Sequence, residues 1–231
     1  MTQPNGLHHV AISTGDMKAQ IEYFSDVLGM QLAALYWMHG VENTFHSFMQ
    51  MGEESVAFVF KEDNKGIKTV MGQTHSGNAG EASAPGTMQH IAFNVDTMDE
   101  LLAMRDRIRS RGINVMGPMN HGMCHSIYFA GLENLSLEVS TSGAAEAPLD
   151  KKGTWIDPEV AELAGISKDE LARYMAPAEY ANDGDPLPNP GVVQDKPQMT
   201  YPDGVWEAII GAPDEALLNS VESAPPSPNG L

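Results

Sequence analysis

The order of apolar and polar positions follows one pattern twice within the first 141 residues. A short β-branched and apolar run at residues 7–13 predicts a strand. Apolar residues then recur at helical spacing from Met17 to Leu28, and Gly29 stands where a helix would end. Strand-like runs at 32–37, 44–51 and 55–61 follow, separated by turn signals. The pattern predicts a β-α-β-β-β module.

The same order returns in the second half. Residues 88–95 predict a strand, and Thr97 with Glu100 has the spacing of a capping box at a helix start. Gly112 marks the helix end, and strands are predicted at 114–117, 125–130 and 135–140. The first strands of the two copies align without a gap at an offset of 81 residues, which pairs His9 with His90. A repeat of this kind indicates two similar modules in one chain.

We therefore predict an α+β fold of two tandem βαβββ modules, at residues 5–61 and 87–141. The connecting loop, 62–86, is rich in glycine and has no clear period, so it is either a lid over a pocket or a flexible linker. Residues 142–231 form an irregular, acidic C-terminal extension. It has helices predicted at 157–164, 167–175 and 213–221, no regular structure at 176–204, and disorder at 223–231.

Composition excludes several classes of protein. The formal net charge of −18 argues against nucleic acid binding, because phosphate binding needs a basic surface. No apolar run is long enough to cross a bilayer, and the N-terminus lacks a secretory signal pattern. The single cysteine, Cys124, excludes an internal disulfide and a multi-cysteine metal site. We expect a cytoplasmic protein with no membrane partner.

Three residues in register with the repeat predict a metal site. His9 and His90 open matching strands, and strand alternation puts Glu138 on one face together with Ser136. Glu138 follows His90 by 48 residues, and the residue at that distance from His9 is Ala57, which cannot be a ligand. Two imidazoles and one carboxylate with open positions are the ligand set of non-haem Fe(II) oxygenases. Mn, Zn, Ni or Co could also occupy the site as Lewis acids.

The paired modules, with their His-(Val/Ile)-Ala strands and final Leu-Glu-Val strand, resemble the vicinal oxygen chelate superfamily over residues 5–141. The resemblance implies strands curled around a cavity, with a metal held between the modules by His9, His90 and Glu138. Glyoxalases and epimerases usually place a fourth ligand at or near the position of Ala57. The pattern therefore looks more like type I extradiol dioxygenases, although fosfomycin-type thiol transferases also use three ligands.

The resemblance also suggests catalytic residues. His121, Tyr128 and Glu138 have spacing compatible with the extradiol signature, although residues 131–134 depart from its usual turn. Tyr128 would hydrogen-bond a bound catecholate, or else is a packed strand aromatic. His46 lies in a strand similar to the one that supplies the acid/base in extradiol enzymes, and His121 and His125 compete for a second role.

We predict an Fe(II)-dependent extradiol-type ring-cleavage dioxygenase, whose partners are a small catechol-like aromatic and O₂. One alternative is a metal-dependent isomerase or lyase of the glyoxalase or epimerase type. Another is a non-enzymatic small-molecule binding protein. Large aromatic residues in the extension indicate that it packs either against this chain's own pocket or against a second subunit, because exposing them would be costly, and we expect a homo-oligomer. They are Trp155, Tyr174, Tyr180, Tyr201 and Trp206.

Overall fold

The computed structural model describes residues 3–181 and 184–231, in which the secondary structure is eight strands, six α-helices and two short 3-10 turns. The first module contains β1 (His9–Thr14), α1 (Met17–Asp26), β2 (Gln31–Trp37), β3 (Thr44–Met51) and β4 (Glu54–Lys61). The second contains β5 (Ile91–Asn94), α2 (Met98–Ser110), β6 (Val115–Asn120), β7 (His125–Ala130) and β8 (Ser136–Thr141). The extension carries α3 (Pro158–Leu163), α4 (Lys168–Met175), α5 (Val205–Ile210) and α6 (Asp214–Leu218).

Each module forms its own four-stranded mixed sheet. The strand orders are β1-β4-β3-β2 and β5-β8-β7-β6, with the first pair of each order parallel and the other pairs antiparallel. Ala11 lies opposite Ala57, and Ala92 lies opposite Glu138, so the two sheets share one register at the offset of the repeat. The predicted α+β fold of tandem βαβββ modules is confirmed, and its two sheets are separate rather than closed into a barrel.

Local signals in the sequence set the helix ends. The Asp16 carboxylate accepts a hydrogen bond from the Ala19 backbone N–H at 3.0 Å and caps α1. Thr97 and Glu100 form the predicted capping box at the start of α2. Gly112, beyond the end of α2, has a φ of 77°, a left-handed conformation that glycine adopts without a steric penalty.

One hydrophobic core joins the two modules. Phe24 of α1 is fully buried, and its ring centroid lies 6.3 Å from that of Phe93 in β5. A polar contact adds to this packing, because the Glu133 carboxylate in the β7–β8 turn accepts hydrogen bonds from Gly15 N at 2.7 Å and Gln20 Nε2 at 2.8 Å. These contacts fix the relative position of the two sheets.

The extension is helical and irregular, as predicted. Its α3, α4 and α6 lie where the sequence predicts helices, whereas α5 was not predicted. Asn182 and Asp183, within the predicted irregular segment 176–204, lie outside the described residues. Residues 223–231 have no regular secondary structure and line a cavity of about 750 Å³ together with β2. No helix in the described part of the chain is long and apolar enough to cross a membrane.

Candidate metal centre

Each sheet presents one open face and buries the other. In β1 the open side carries His9, Ala11 and Ser13, while Ile12 and Thr14 point into the core. Residues directly opposite one another on neighbouring strands share a face. The register therefore puts the side chains of His9 and His46 on the open face of the first sheet. It puts those of Tyr128 and Glu138 on the corresponding face of the second.

Two of the three predicted ligands are in direct contact. His90 Nε2 lies 2.9 Å from Glu138 Oε2, and the Glu138 side chain is only 6% exposed. The other carboxylate oxygen, Oε1, accepts a hydrogen bond from Ser140 Oγ at 2.5 Å. A buried carboxylate is costly unless it is paired and hydrogen-bonded. Ser140 supplies the hydrogen bond, and His90 supplies the pairing only with a proton or a cation between it and Glu138.

The tautomer of His90 follows from its neighbour Gln89. The Gln89 amide donates from Nε2 to the backbone carbonyl of Asn78 at 2.9 Å, so its Oε1 is the atom in contact with His90 Nδ1. An amide oxygen can only accept, and therefore His90 Nδ1 carries a proton. In neutral His90, the Nε2 lone pair then faces a Glu138 oxygen. Two such electron-rich atoms at 2.9 Å need a proton or a cation between them, and the donor set fits a divalent metal ion.

A chain of small polar side chains continues from Glu138 across the sheet. Because the Ser140 hydroxyl donates its hydrogen bond to Glu138, the Ser140 oxygen must accept one from Ser126 Oγ, which lies 2.9 Å away. Ser126 in turn can only accept from the Cys124 thiol, with the two atoms 3.6 Å apart. Cys124 is thus the outer end of a network that orients the Glu138 carboxylate.

Tyr128 and His121 form a second couple next to Glu138. Tyr128 lies directly opposite Glu138 in the β7–β8 register, and its hydroxyl is 3.0 Å from His121 Nε2. Burial raises the pKa of Tyr128, and the charge of Glu138 raises it further. The phenol therefore keeps its proton at neutral pH and can donate a hydrogen bond.

His9 and His46 lie together on the other sheet. Phe48 separates them, with ring centroids 5.5 Å from His9 and 5.1 Å from His46. His46 Nε2 is buried and has no hydrogen-bond partner. Burial lowers the pKa of His46, and the neighbouring charges of His39 and His9 lower it further. A neutral His46 with a free nitrogen is able to accept a proton.

The structure does not gather all the predicted ligands at one point. Among residues 3–181 and 184–231, no three His, Cys, Asp or Glu side chains are close enough to hold a metal ion. His9 contacts His8, with their Nδ1 atoms 2.9 Å apart, and its Nε2 takes part in none of the hydrogen bonds found among the described residues. The set of His9, His90 and Glu138 remains a prediction. Strand alternation puts His125 on the face opposite to that of Tyr128.

Sequence reasoning missed the residues that surround Glu138 and His90. Ser140 lies two residues after Glu138 on the same strand, so alternation alone would have placed it on the shared face. Ser126 and Gln89 had no comparable signal. Their contacts depend on the β7–β8 register and on the path of the connecting segment.

Two cavities lie near this face. One of about 290 Å³ has Tyr128, Met116 and Ser136 on one side and residues of the connecting segment on the other. A larger cavity, about 620 Å³, lies at the end of β1 between Ser13, Lys65 and the β7–β8 turn, and none of the predicted ligands lines it. His9, His90 and Glu138 do not line the smaller cavity either, but Tyr128, which lies opposite Glu138 in the β7–β8 register, does.

Comparison with known proteins defines the family. A sequence profile of the Glyoxalase/Bleomycin resistance protein/Dioxygenase superfamily matches residues 6–157, and the chain belongs to this superfamily. This confirms the resemblance inferred from the sequence.

Individual relatives are distant. The chain is 24% identical over 189 residues to a biphenyl-2,3-diol 1,2-dioxygenase 2 from Rhodococcus globerulus. This match covers 81% of this chain and 77% of the relative. It is 26% identical over 145 residues to a probable lactoylglutathione lyase from Vibrio parahaemolyticus, covering 62% and 94%. Among solved structures, a glyoxylase/bleomycin resistance protein/dioxygenase domain from Frankia sp. EAN1pec is 16% identical with a TM-score of 0.49, covering 60% and 93%.

Proposed function

We propose that the protein is an Fe(II)-dependent extradiol-type dioxygenase that cleaves a small catechol-like aromatic with O₂. The observation that carries this proposal is the buried His90–Glu138 pair with Tyr128 directly beside it. The position equivalent to Glu138 in the first module is Ala57, which leaves no fourth carboxylate. A site with two imidazoles and one carboxylate keeps positions open for both substrates.

The length of the matches favours the same reading. The similarity to the biphenyl-diol dioxygenase spans 81% of this chain, more than residues 5–141 provide, so it extends into the C-terminal extension. The similarity to the lactoylglutathione lyase spans 62% of the chain, about the length of the two modules. The dioxygenase match therefore includes part of the extension.

His9, His90 and Glu138 would hold the metal. A bound Fe(II) would supply a Lewis acid for two adjacent substrate oxygens and a path for electrons between the ring and O₂. The other roles belong to side chains of this protein. Tyr128, protonated and paired with His121, donates a hydrogen bond to a substrate oxygen, and neutral His46 accepts a phenolic proton.

Metal analysis combined with oxygen uptake tests this function. Protein purified anaerobically should contain near-stoichiometric iron and consume O₂ when given catechol or 3-methylcatechol, with the yellow colour of a ring-cleavage product. Glu138→Gln should lose iron and activity, whereas Glu146→Gln, on the exposed part of the extension, should keep both. Stoichiometric iron with no O₂ uptake on any catechol would rule out the dioxygenase.

The glyoxalase-type reaction is the second candidate, favoured by the match to the lactoylglutathione lyase. There the metal site would support proton transfer next to a carbonyl, with His46 as the base. Bound zinc, nickel, cobalt or manganese together with conversion of a hemithioacetal would establish it. Absence of metal from both wild type and His90→Ala, with unchanged ligand binding, would indicate a binding protein instead.

A further inference from the structure

Part of the connecting segment lies against the open face of the second sheet. We call residues 71–79 the cover segment. Its residue Met71 and residues 77–79 line the 290 Å³ cavity together with Tyr128 and Met116. Ser76 within it is only 4% exposed, and its hydroxyl donates to the backbone carbonyl of Gln89 at 2.9 Å. A buried, hydrogen-bonded serine shows that this segment is docked rather than loose.

Gln89 makes contacts in two directions. Its side-chain Nε2 donates to the Asn78 carbonyl at 2.9 Å, and its Oε1 accepts from His90 Nδ1. With the Ser76 contact to its backbone, Gln89 is hydrogen-bonded to the cover segment at two points and to His90 at one. The amide is thus a bridge between the wall of the cavity and a predicted metal ligand.

We propose that Gln89 is a positioning residue that couples docking of the cover segment to metal binding by His90; this rests on the metal role of His90 in the proposed function. Hydrogen bonding at Nδ1 fixes the tautomer that leaves Nε2 available to a metal. Anything that holds Gln89 in place therefore favours metal binding. By linkage, metal binding holds Gln89 and, through it, the cover segment to the same degree.

Three variants separate the contact of Gln89 with His90 from its contacts with the cover segment. Gln89→Glu keeps an acceptor for His90 Nδ1 but loses the N–H donor to Asn78. Gln89→Met has similar length and loses both contacts. Ser76→Ala removes only the hydrogen bond from the Ser76 hydroxyl to the Gln89 backbone carbonyl. Far-UV circular dichroism and thermal melting of the metal-free full chain establish that each variant is folded before binding is compared.

Titration with Co(II), followed by its visible absorption, measures coordination without any turnover. Gln89→Met should bind Co(II) about 10- to 100-fold more weakly than wild type, the usual loss when an outer partner of a metal-bound histidine is removed. Gln89→Glu should restore most of the affinity because its carboxylate can still accept from Nδ1. Ser76→Ala should lose a few-fold, about the size of an ordinary coupling factor.

Hydrogen exchange of the cover segment is the second readout. Co(II) should slow exchange in residues 71–79 of the wild type, and this protection should disappear in Gln89→Glu although that variant still binds the ion. Equal Co(II) affinity in Gln89→Met and wild type would overturn the proposal. So would protection that Co(II) leaves unchanged in the wild type, or a wild type that binds no Co(II). If both readouts behave as expected while the Fe(II) protein cleaves no catechol, the coupling stands and the dioxygenase proposal fails.

Discussion

At the residue scale, the chemistry of the site depends on how one buried carboxylate is held. Glu138 is 5% exposed, and its two oxygens meet different partners, Ser140 on one side and His90 on the other. The serine contact is a hydrogen bond to a charged acceptor, which is stronger than a neutral one. Ser140 therefore holds Oε1 of the Glu138 carboxylate in place whether or not a metal is bound.

Replacing Ser140 by alanine tests this contribution. Ser140→Ala leaves Glu138 Oε1 without its donor, and we expect the free energy of unfolding to fall by about 1.5–3 kcal/mol, the range for hydrogen bonds to charged groups. Ser136 lies on the same strand and face, two residues before Glu138, and forms no hydrogen bond among the described side chains. Ser136→Ala is the matched control. Equal unfolding free energies for the two variants in urea denaturation would contradict the assignment.

His46 predicts a pH dependence of stability. Its folded-state pKa lies below the ordinary 6.5, first because of burial and then because of the charges of His39 and His9. Below pH 6.5 the unfolded chain therefore binds more protons than the folded protein, and stability falls as the pH drops through that window. In metal-free protein, His46→Gln should lose less unfolding free energy than wild type between about pH 7.5 and 5.5. Equal losses in urea titrations would show that His46 does not contribute.

At the scale of elements, the fold was predictable wherever its signal was local or repeated. The apolar pattern predicted all eight strands and both module helices, and the repeat predicted that Ala57 and Glu138 occupy equivalent positions. Helix α5 was missed because its six residues follow a segment rich in proline and aspartate. The polar network from Glu138 to Cys124 could not be predicted, since it needs the register between strands. The position of His9 relative to His90 depends on how two sheets meet, which the sequence pattern does not encode.

The contact between the extension and the β6–β7 turn gives a prediction at this scale. Gly122, next to His121, has a φ of 80°, and a Cβ built there would lie 2.6 Å from Cη2 of the Trp155 ring. Gly122→Ala should therefore lower the unfolding free energy through both backbone strain, about 1–2 kcal/mol, and a steric clash. Trp155→Ala removes the clash but not the strain.

A double-mutant cycle distinguishes the two effects. The double variant Gly122→Ala/Trp155→Ala should be more stable than the sum of the single losses predicts, by about 0.5–3 kcal/mol of interaction energy. Strictly additive losses in urea denaturation would mean that Trp155 does not pack on the turn that carries His121. In that case the extension would not help to position the Tyr128–His121 couple.

At the scale of the whole molecule, the site requires two sheets to keep a fixed relation. The predicted ligands come from both modules, and their alignment depends on the shared core around Phe24 and Phe93. Hydrogen bonds between the two modules restrict their relative orientation in addition to this packing. Glu133 makes two of them, because one carboxylate accepts from Gly15 and Gln20 of the first module. No spacing in the sequence indicates this contact, since its residues are more than 110 positions apart.

Removing the Glu133 carboxylate should weaken the interface between the two modules and lower the stability of the protein. Glu133→Ala leaves the Gly15 N–H and the Nε2 of the fully buried Gln20 without partners, and should lower the unfolding free energy by about 1–3 kcal/mol. Glu133→Gln should cost less. Its Oε1 can still accept from Gly15, and Gln20, whose Oε1 is buried without a partner, can turn its amide to accept from the new side chain. Urea denaturation gives both values, and an alanine variant as stable as the glutamine variant would mean that the Glu133 carboxylate does not help to hold the two modules together.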